Sequence, residues 1–310
     1  MKARRCALAP IAVLIFISPI VSLTGAMQWP SFPTSDVPKT ADGKPNLEGP
    51  TPRTPDGKPD LSGIWEFRGR AGGGRGVGGT FTIAGNRGSN TNAPTPPAPP
   101  PPPPPSPDPA GGPPQATFFN IGAGFKDGLP YTPWAAELHK QREATHAMDN
   151  PDARCLPLGL TQLHMHPQPR KIIQMPKLIV ILYEAQGGVR QIFMDGRRPP
   201  NNDPDPWWYG YSVGHWEGET LVVETTGFRD DVWLDVNGSP LTSSGKLTER
   251  IRRPNYGNME IDITVEDPKS YTQPFTVRVN QRILLNNELI EFVCNENEKS
   301  SNHYIPDKKN

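Results

Sequence analysis

The sequence is poor in the features by which an activity is commonly recognised. Its 310 residues include three cysteines, at positions 6, 155 and 294, and none of them belongs to a C-x-x-C pair. That spacing argues against a cysteine-based zinc site. The chain also has no G-x-S-x-G motif, no phosphate-binding loop and no dinucleotide-binding fingerprint. A serine hydrolase and a nucleotide-dependent enzyme are therefore not predicted.

Net charge and long apolar runs are equally scarce. The 32 acidic and 32 basic residues balance, which gives no reason to expect a nucleic acid as partner. One apolar run, residues 7–23, follows a basic segment and precedes small residues at 24–26, as in a secretory signal peptide. An uncleaved anchor is the alternative, but Pro10 and Pro19 interrupt the run. We therefore expect cleavage after residues 1–26, a secreted or periplasmic protein and no stable membrane span after cleavage.

Export changes how the two remaining cysteines are interpreted. An even pair in an oxidising compartment predicts a disulfide between Cys155 and Cys294. Two unrelated buried thiols are the alternative. A single pairing is possible, so the prediction needs no choice of connectivity.

Proline and glycine, with 40 and 30 residues, organise the rest of the N-terminal third. Residues 27–60 are predicted as an extended lead-in that contains the same Asp-Gly-Lys-Pro turn twice, at 42–45 and 56–59. Residues 69–116 are Gly- and Pro-rich and are predicted as a disordered insertion. Residues 300–310 are assigned as a tail.

The remaining residues, 61–68 and 117–299, are predicted to form one mainly β domain. About eight short segments have strand character and hairpin spacing, and the clearest alternation runs from Met259 to Glu266. This pattern favours an antiparallel barrel or a strongly curved sheet. Nine aliphatic residues are predicted to face its interior: Val180, Leu182, Ile192, Val213, Val223, Ile261, Ile263, Val277 and Val279.

One helix is predicted beside long irregular N-terminal segments. Thr132 is a suitable N-cap, Pro133 a suitable first residue, and Asp149-Asn150-Pro151 a suitable end. "ELIEFVCNE" near the C-terminus is predicted as the last strand, with Cys294 on it.

Gly63-Ile64-Trp65 at the start of the first strand resembles the G-x-W motif of lipocalin-like (calycin-type) barrels. The resemblance implies a structural role for Trp65, which would close one end of the barrel. It also implies packing of that tryptophan against an arginine of a late strand, either Arg278 or Arg282.

A longer resemblance covers most of residues 54–299. The chain is similar to a family of secreted bacterial proteins in its segments "RTPDGKPDLSGIW", "YTPWAAEL", "NPDARCLP", "RQIFMDGR", "YSVGHWEGETLVVETTGF", "LTERIRR" and "EFVCNENE". This similarity implies an exported β-rich domain and implies no activity. It does not extend to "LTQLHMHP" at 160–167.

Two constellations are candidates for a site. Five aromatic residues form the densest cluster and are candidates for binding a small apolar or aromatic ligand at a barrel mouth: Trp207, Trp208, Tyr209, Tyr211 and Trp216. The alternative for these rings is core packing. His164 and His166 would share one face of a strand, and with His215 they are candidate zinc ligands, although prolines nearby disfavour a strand.

Three hypotheses follow for the function. The first is an exported barrel that binds a small apolar or aromatic ligand without a cofactor. The second is a metal-assisted hydrolase, in which zinc is held by the three histidines. The third is a non-catalytic protein of the cell envelope, with the proline-rich tract as a spacer. Catalytic residues are not assigned, and an enzyme is the less favoured interpretation.

Overall fold

The fold is a closed, mainly β barrel of nine strands, as described by a computed structural model. The structure describes residues 33–69, 112–199 and 205–294. The predicted signal peptide, the tail and most of the predicted insertion lie outside these residues. The prediction of a barrel is confirmed.

The barrel has the strand order β1-β11-β10-β9-β6-β5-β4-β3-β2, and β2 pairs with β1 to close it. Its strands are β1 (Gly63–Phe67), β2 (Arg170–Met175), β3 (Leu178–Tyr183), β4 (Val189–Phe193), β5 (Tyr211–Glu217), β6 (Thr220–Thr226), β9 (Lys246–Arg252), β10 (Asn258–Glu266) and β11 (Phe275–Ile283). A separate ladder pairs β7 (Val232–Trp233) with β8 (Pro240–Leu241).

One strand pair departs from the predicted antiparallel arrangement. β4 and β5 are parallel and share two residue pairs, Ile192–Ser212 and Phe193–Val213. A parallel pair needs a longer connection than a hairpin turn, and seventeen residues separate Phe193 from Tyr211. Two residue pairs therefore join β4 to β5 in the barrel wall.

Some of the residues that were predicted to face the interior are buried, and others lie on the outer face of the barrel. Ile261 and Ile263 of β10 are buried, as are Ile192, Val223, Val277 and Val279. The prediction is wrong for three residues, Val180, Leu182 and Val213, which are half-buried on the outer face. Their inward neighbours are Ile179, Ile181, Tyr183 and Ser212. A continuous apolar run such as β3 has no alternation from which its inner face can be read.

Trp65 is fully buried, and its Nε1 donates to the carbonyl of Leu61 at 2.9 Å. The arginine that packs on its ring is Arg253, 4.8 Å from the ring centroid. The prediction of Arg278 or Arg282 is wrong. Arg278 pairs with Asp262 and Arg282 with Glu66 instead, because both arginines lie on outward positions of β11.

The two copies of the duplicated turn fold in the same way. Thr40 and Thr54 each accept a backbone N–H from the glycine of their turn, at 2.9 and 2.8 Å. The first copy leads to Leu47, whose carbonyl accepts the N–H of Gly257, so the lead-in packs on the barrel. The second copy leads directly into β1.

Two α-helices accompany the strands of the barrel. α1 (Pro133–Ala144) begins at the predicted cap, since the Thr132 side chain accepts the N–H of Ala135, but it ends before the predicted stop. α2 (Leu160–Met165), which was not predicted, is buried throughout. Two 3-10 helices, Pro151–Arg154 and Ala185–Gly187, complete the helical structure that is described.

The C-terminal segment corrects another prediction. "ELIEFVCNE" forms no strand in the described residues, and regular structure ends with β11 at Ile283. Cys294 therefore lies on an irregular segment. Its Sγ is bonded to that of Cys155, as predicted.

Candidate functional site

A cleft opens in the barrel wall where the pairing of β4 and β5 ends. β4 and β5 share no residue pair beyond Phe193–Val213, while β5 continues to Glu217. Between them lies a cleft of about 280 Å³. Its lining residues come from the second turn copy, from the β2–β3 hairpin, from the segment after β4 and from β5: Thr54, Pro55, Asp56, Gln174, Met175, Pro176, Ile179, Met194, Gly196, Gly214, His215 and Trp216.

The walls of the cleft are mostly apolar. Trp216 provides the aromatic surface, and Ile179, Met175 and Met194 provide flexible or branched aliphatic surface. Gly214 keeps the wall open to Met194, because a Cβ at this position would lie 2.6 Å from the Met194 sulfur. The methionine side chain is flexible and can adapt to different neighbours, which suits a site that binds a ligand.

Polar groups are found at the rim of the cleft. The side chain of Gln174 is engaged, since its Oε1 accepts the N–H of Leu61 and its Nε2 donates to the carbonyl of Pro59. His215 lies 3.3 Å from Glu217 and is exposed. An exposed imidazole can donate or accept a hydrogen bond to a polar group on a ligand.

An ion pair holds the second turn copy over the cleft. The guanidinium of Arg53 lies 2.6 Å from the carboxylate of Glu219, which is in the β5–β6 turn. The turn residues Thr54, Pro55 and Asp56 therefore form one wall of the cleft. The lead-in contributes to the site as well as to the fold.

A second group of polar side chains lies inside the barrel, close to α2. Glu249 of β9 makes a two-pronged ion pair with Arg190 of β4. The Nε2 of His164, on α2, lies 2.7 Å from the same carboxylate. An ionised carboxylate only accepts hydrogen bonds, so Nε2 carries the proton of the imidazole. All three side chains are almost completely buried.

Hydroxyl groups complete the coordination of Arg190. Its Nε donates to Ser212 at 3.1 Å, and its Nη2 donates to Thr225 at 3.0 Å. The two hydroxyls are 2.9 Å apart. Four hydrogen bonds, two to Glu249 and one to each hydroxyl, therefore stabilise the buried charge of the guanidinium.

Arg170 of β2 holds the C-terminal end of α2. Its guanidinium donates to the carbonyls of His164 and His166. A cation at this position is favoured by the partial negative charge of a helix C-terminus. Gln281 donates to the same carbonyl of His164 at 3.4 Å.

Burial controls the protonation of these groups. It lowers the pKa of His164, and the hydrogen bond to Glu249 opposes this effect only in part. The pKa of His166 falls to about 4, through burial and the nearby charge of Arg170. Burial alone would raise the pKa of Glu249, but the charge of Arg190 and the hydrogen bond from His164 outweigh it and lower the pKa. At neutral pH Glu249 is charged and both histidines are neutral.

The predicted aromatic cluster divides between several places. Trp216 lines the cleft. Tyr211 stacks on Phe193 on the outer wall, with Trp207 at its edge. Trp208 packs against the core under Arg229, and Tyr209 lies beside Tyr183. Of the five candidates, the structure brings one to the cleft.

The three candidate zinc ligands lie apart from one another. His164 is inside the barrel on α2, His166 follows that helix against Phe118, and His215 is exposed on β5. Residues two apart do not share a face at the end of a helix, as they would on a strand. Within residues 33–69, 112–199 and 205–294, no group of three His, Cys, Asp or Glu side chains could hold a metal ion.

Two residues of the buried network, Arg190 and Glu249, were not among the predicted site residues. Each occupies an inward position of an otherwise apolar face: Glu249 lies between Leu247 and Ile251 in the alternation of β9, and Arg190 precedes Ile192. A charged residue in phase with buried aliphatic residues is the sequence signal that identifies such groups.

None of the helices in the described residues has the length and apolarity needed to cross a membrane. Comparisons with protein-family models, curated proteins and solved structures found no match to this chain.

Proposed function

We propose that the protein is an exported, non-catalytic β-barrel that binds a small apolar or aromatic ligand. The binding site is the cleft at the end of the β4–β5 pairing. The observation that carries this proposal is the lining of the cleft, in which Trp216 faces a space bordered by Ile179, Met175 and Met194. Concave, mostly apolar sites with a few polar groups are typical of small-molecule binding.

The dimensions of the cleft restrict the ligand. A volume of about 280 Å³ is at the lower limit for small-molecule pockets, and it suits one or two fused rings. A planar ring would stack on the indole of Trp216, and a hydroxyl or carbonyl on that ring would meet His215 at the rim. We therefore expect compounds of the size of indole or naphthol to bind.

The proposed export is supported by two features. The N-terminal residues have the pattern of a signal peptide, and Cys155 and Cys294 form a bridge that persists in oxidising compartments. The resemblance to secreted bacterial proteins agrees with both. The hydrolase hypothesis required three converging histidines, and the separation of His164 from His215 gives it no support.

Ligand binding can be tested with the purified protein and a panel of indole, 2-naphthol and cyclohexanol. Nuclear magnetic resonance shifts and tryptophan fluorescence would report binding. We expect saturable binding of the ring compounds that is weakened about tenfold or more in Trp216→Ala. Trp207→Ala is the matched control, because Trp207 is an exposed tryptophan outside the cleft.

Three results would contradict the proposal. The first is the absence of saturable binding by every compound of the panel. The second is an equal loss of binding in Trp207→Ala and Trp216→Ala. The third is stoichiometric zinc in the purified protein that His215→Ala removes, which would favour the hydrolase hypothesis instead.

A further inference from the structure

A large groove lies on the outer wall of the barrel, beside the segment of residues 284–294. Its volume is about 1210 Å³. Leu182 and Val189, which are partners across the β3–β4 hairpin, form one side. Residues 286–293 form the other side. This groove is separate from the cleft beside Trp216, and its lining shares no residue with it.

Both sides of the groove expose apolar side chains to solvent. Ile290 is 59% exposed and Val293 is 57% exposed, and Phe292 and Val189 are exposed as well. Apolar residues scattered singly over a surface need no explanation, but a cluster that borders a groove marks an interaction site. The groove therefore has the surface of a site that a partner covers.

The backbone along the groove is available for pairing. Ile290 donates its N–H to Glu184 at 3.2 Å. In the described part of the chain, the backbone N–H groups of Leu289, Glu291, Phe292 and Val293 have no hydrogen-bond partner. The same residues have the composition of a strand, rich in aliphatic and aromatic residues. The segment thus has strand character without a neighbouring strand.

Both ends of this segment are fixed. The carboxylate of Glu288 lies 2.7 Å from the ammonium group of Lys171 on β2. At the other end, the disulfide joins Cys294 to Cys155. A segment that is held in place before a partner arrives loses less conformational entropy on binding.

The charge at the rim indicates the kind of partner. Three carboxylates, those of Glu184, Glu288 and Glu291, surround the groove, and Lys171 balances one of them. We propose that the groove binds a polypeptide strand with alternating apolar and basic side chains. Its backbone pairs with residues 289–293, its apolar side chains fill the groove, and its basic side chains meet the carboxylates.

The proposal can be tested with a short fluorescent peptide of alternating lysine and valine, titrated into the oxidised protein and followed by anisotropy. We expect saturable binding that is weakened about tenfold in Ile290→Asp. The double variant Glu184→Gln, Glu291→Gln keeps the apolar lining and should weaken binding severalfold. Phe119→Asp is the matched control, because Phe119 is 65% exposed and lies outside the groove. Thermal unfolding would show that each variant is folded.

Several outcomes would overturn the proposal. One is the absence of saturable binding, and another is equal binding of a peptide of alternating glutamate and valine. A loss of binding in Phe119→Asp as large as that in Ile290→Asp would also contradict it. A dimer that light scattering detects and that Ile290→Asp dissociates would assign the groove to a second copy of this chain.

Discussion

Glu249 and Arg190 face each other inside the barrel as a two-pronged ion pair, and each side chain is 1% exposed. They come from β9 and β4, strands that are not neighbours in the barrel. The pair therefore joins two strands that are separated by β6 and β5, and Ser212 and Thr225 of these intervening strands also bind Arg190. Through His164, the pair also connects the wall to α2.

Removal of one partner of this pair should destabilise the fold strongly. Glu249→Gln leaves Arg190 charged and buried without a counterion, and we expect a loss of about 3–5 kcal/mol in the free energy of unfolding. Adding Arg190→Met should recover part of the loss, because the unpaired charge is removed. Urea denaturation followed by circular dichroism measures both variants. Arg250→Ala, which breaks the exposed pair with Glu217, is the control and should have little effect. A similar loss in this control would refute the assigned role.

The stability should fall as the pH falls from about 6.5 towards 4. The pKa of His166 is about 4 in the folded protein, below its ordinary value, so the unfolded chain binds more protons between these two pH values. His164, with its lowered pKa, acts in the same direction. Denaturation in urea at several pH values between 4.5 and 7.5 measures the slope, about 1 kcal/mol per pH unit for each group. His166→Gln should make it less steep, and a flat profile for the unmodified protein would contradict the burial of both imidazoles.

Glu249 also contributes to the pH dependence of stability, because its pKa is lower in the folded protein than in the unfolded chain. Its stabilisation is fully present above its ordinary pKa, about 4.5, and is lost as the pH falls towards the lower pKa of the folded state. The two histidines and the carboxylate therefore all predict acid destabilisation, in successive pH ranges.

Loss of the disulfide should destabilise the protein and free the wall of the outer groove. The two cysteines are 139 residues apart, and closing so long a loop contributes up to about 5 kcal/mol on the chain-entropy model. The variant Cys155→Ser, Cys294→Ser should have a lower melting temperature and faster hydrogen exchange in residues 284–294. Unchanged exchange in that segment would show that the bridge does not position it.

Arg253 should be needed to keep the indole of Trp65 buried. Its guanidinium lies over the indole and donates to the carbonyls of Asp60 and Tyr256. We expect Arg253→Ala to cost about 2–3 kcal/mol, because those carbonyls lose charged donors. Chemical denaturation measures the loss, and the fluorescence of Trp65 should shift to the red as water enters. Arg282→Ala, which removes an exposed arginine paired with Glu66, should change neither property. Equal effects of the two substitutions would contradict the role assigned to Arg253.

Some strands could be predicted from the sequence better than others. The alternation of β10 determined its buried face, because every second residue is aliphatic and the others are polar. β3 gave no such indication, since Leu178, Val180 and Leu182 are as apolar as the residues that point inward. The burial of β3 depends on its neighbours β2 and β4, which fix its register.

The candidate site was less predictable than the fold. Trp216 was found by its aromatic neighbours along the chain, but those neighbours turn to other surfaces. The cleft also needs Thr54 and Met194, and no local pattern links them to Trp216. Such contacts depend on where the β4–β5 register ends, which is a property of the assembled wall.

The sequence by itself determined a mainly β domain, the cap of α1, the duplicated turn and the pairing of Cys155 with Cys294, because each depends on local backbone preference or on a single possible partner. Only the tertiary structure decided the parallel β4–β5 pair, the cleft beside Trp216 and the burial of Glu249 against Arg190. These features join residues that are distant along the chain. Their stability depends on which side chains come into contact when the barrel closes, and a local sequence pattern contains no information about those contacts.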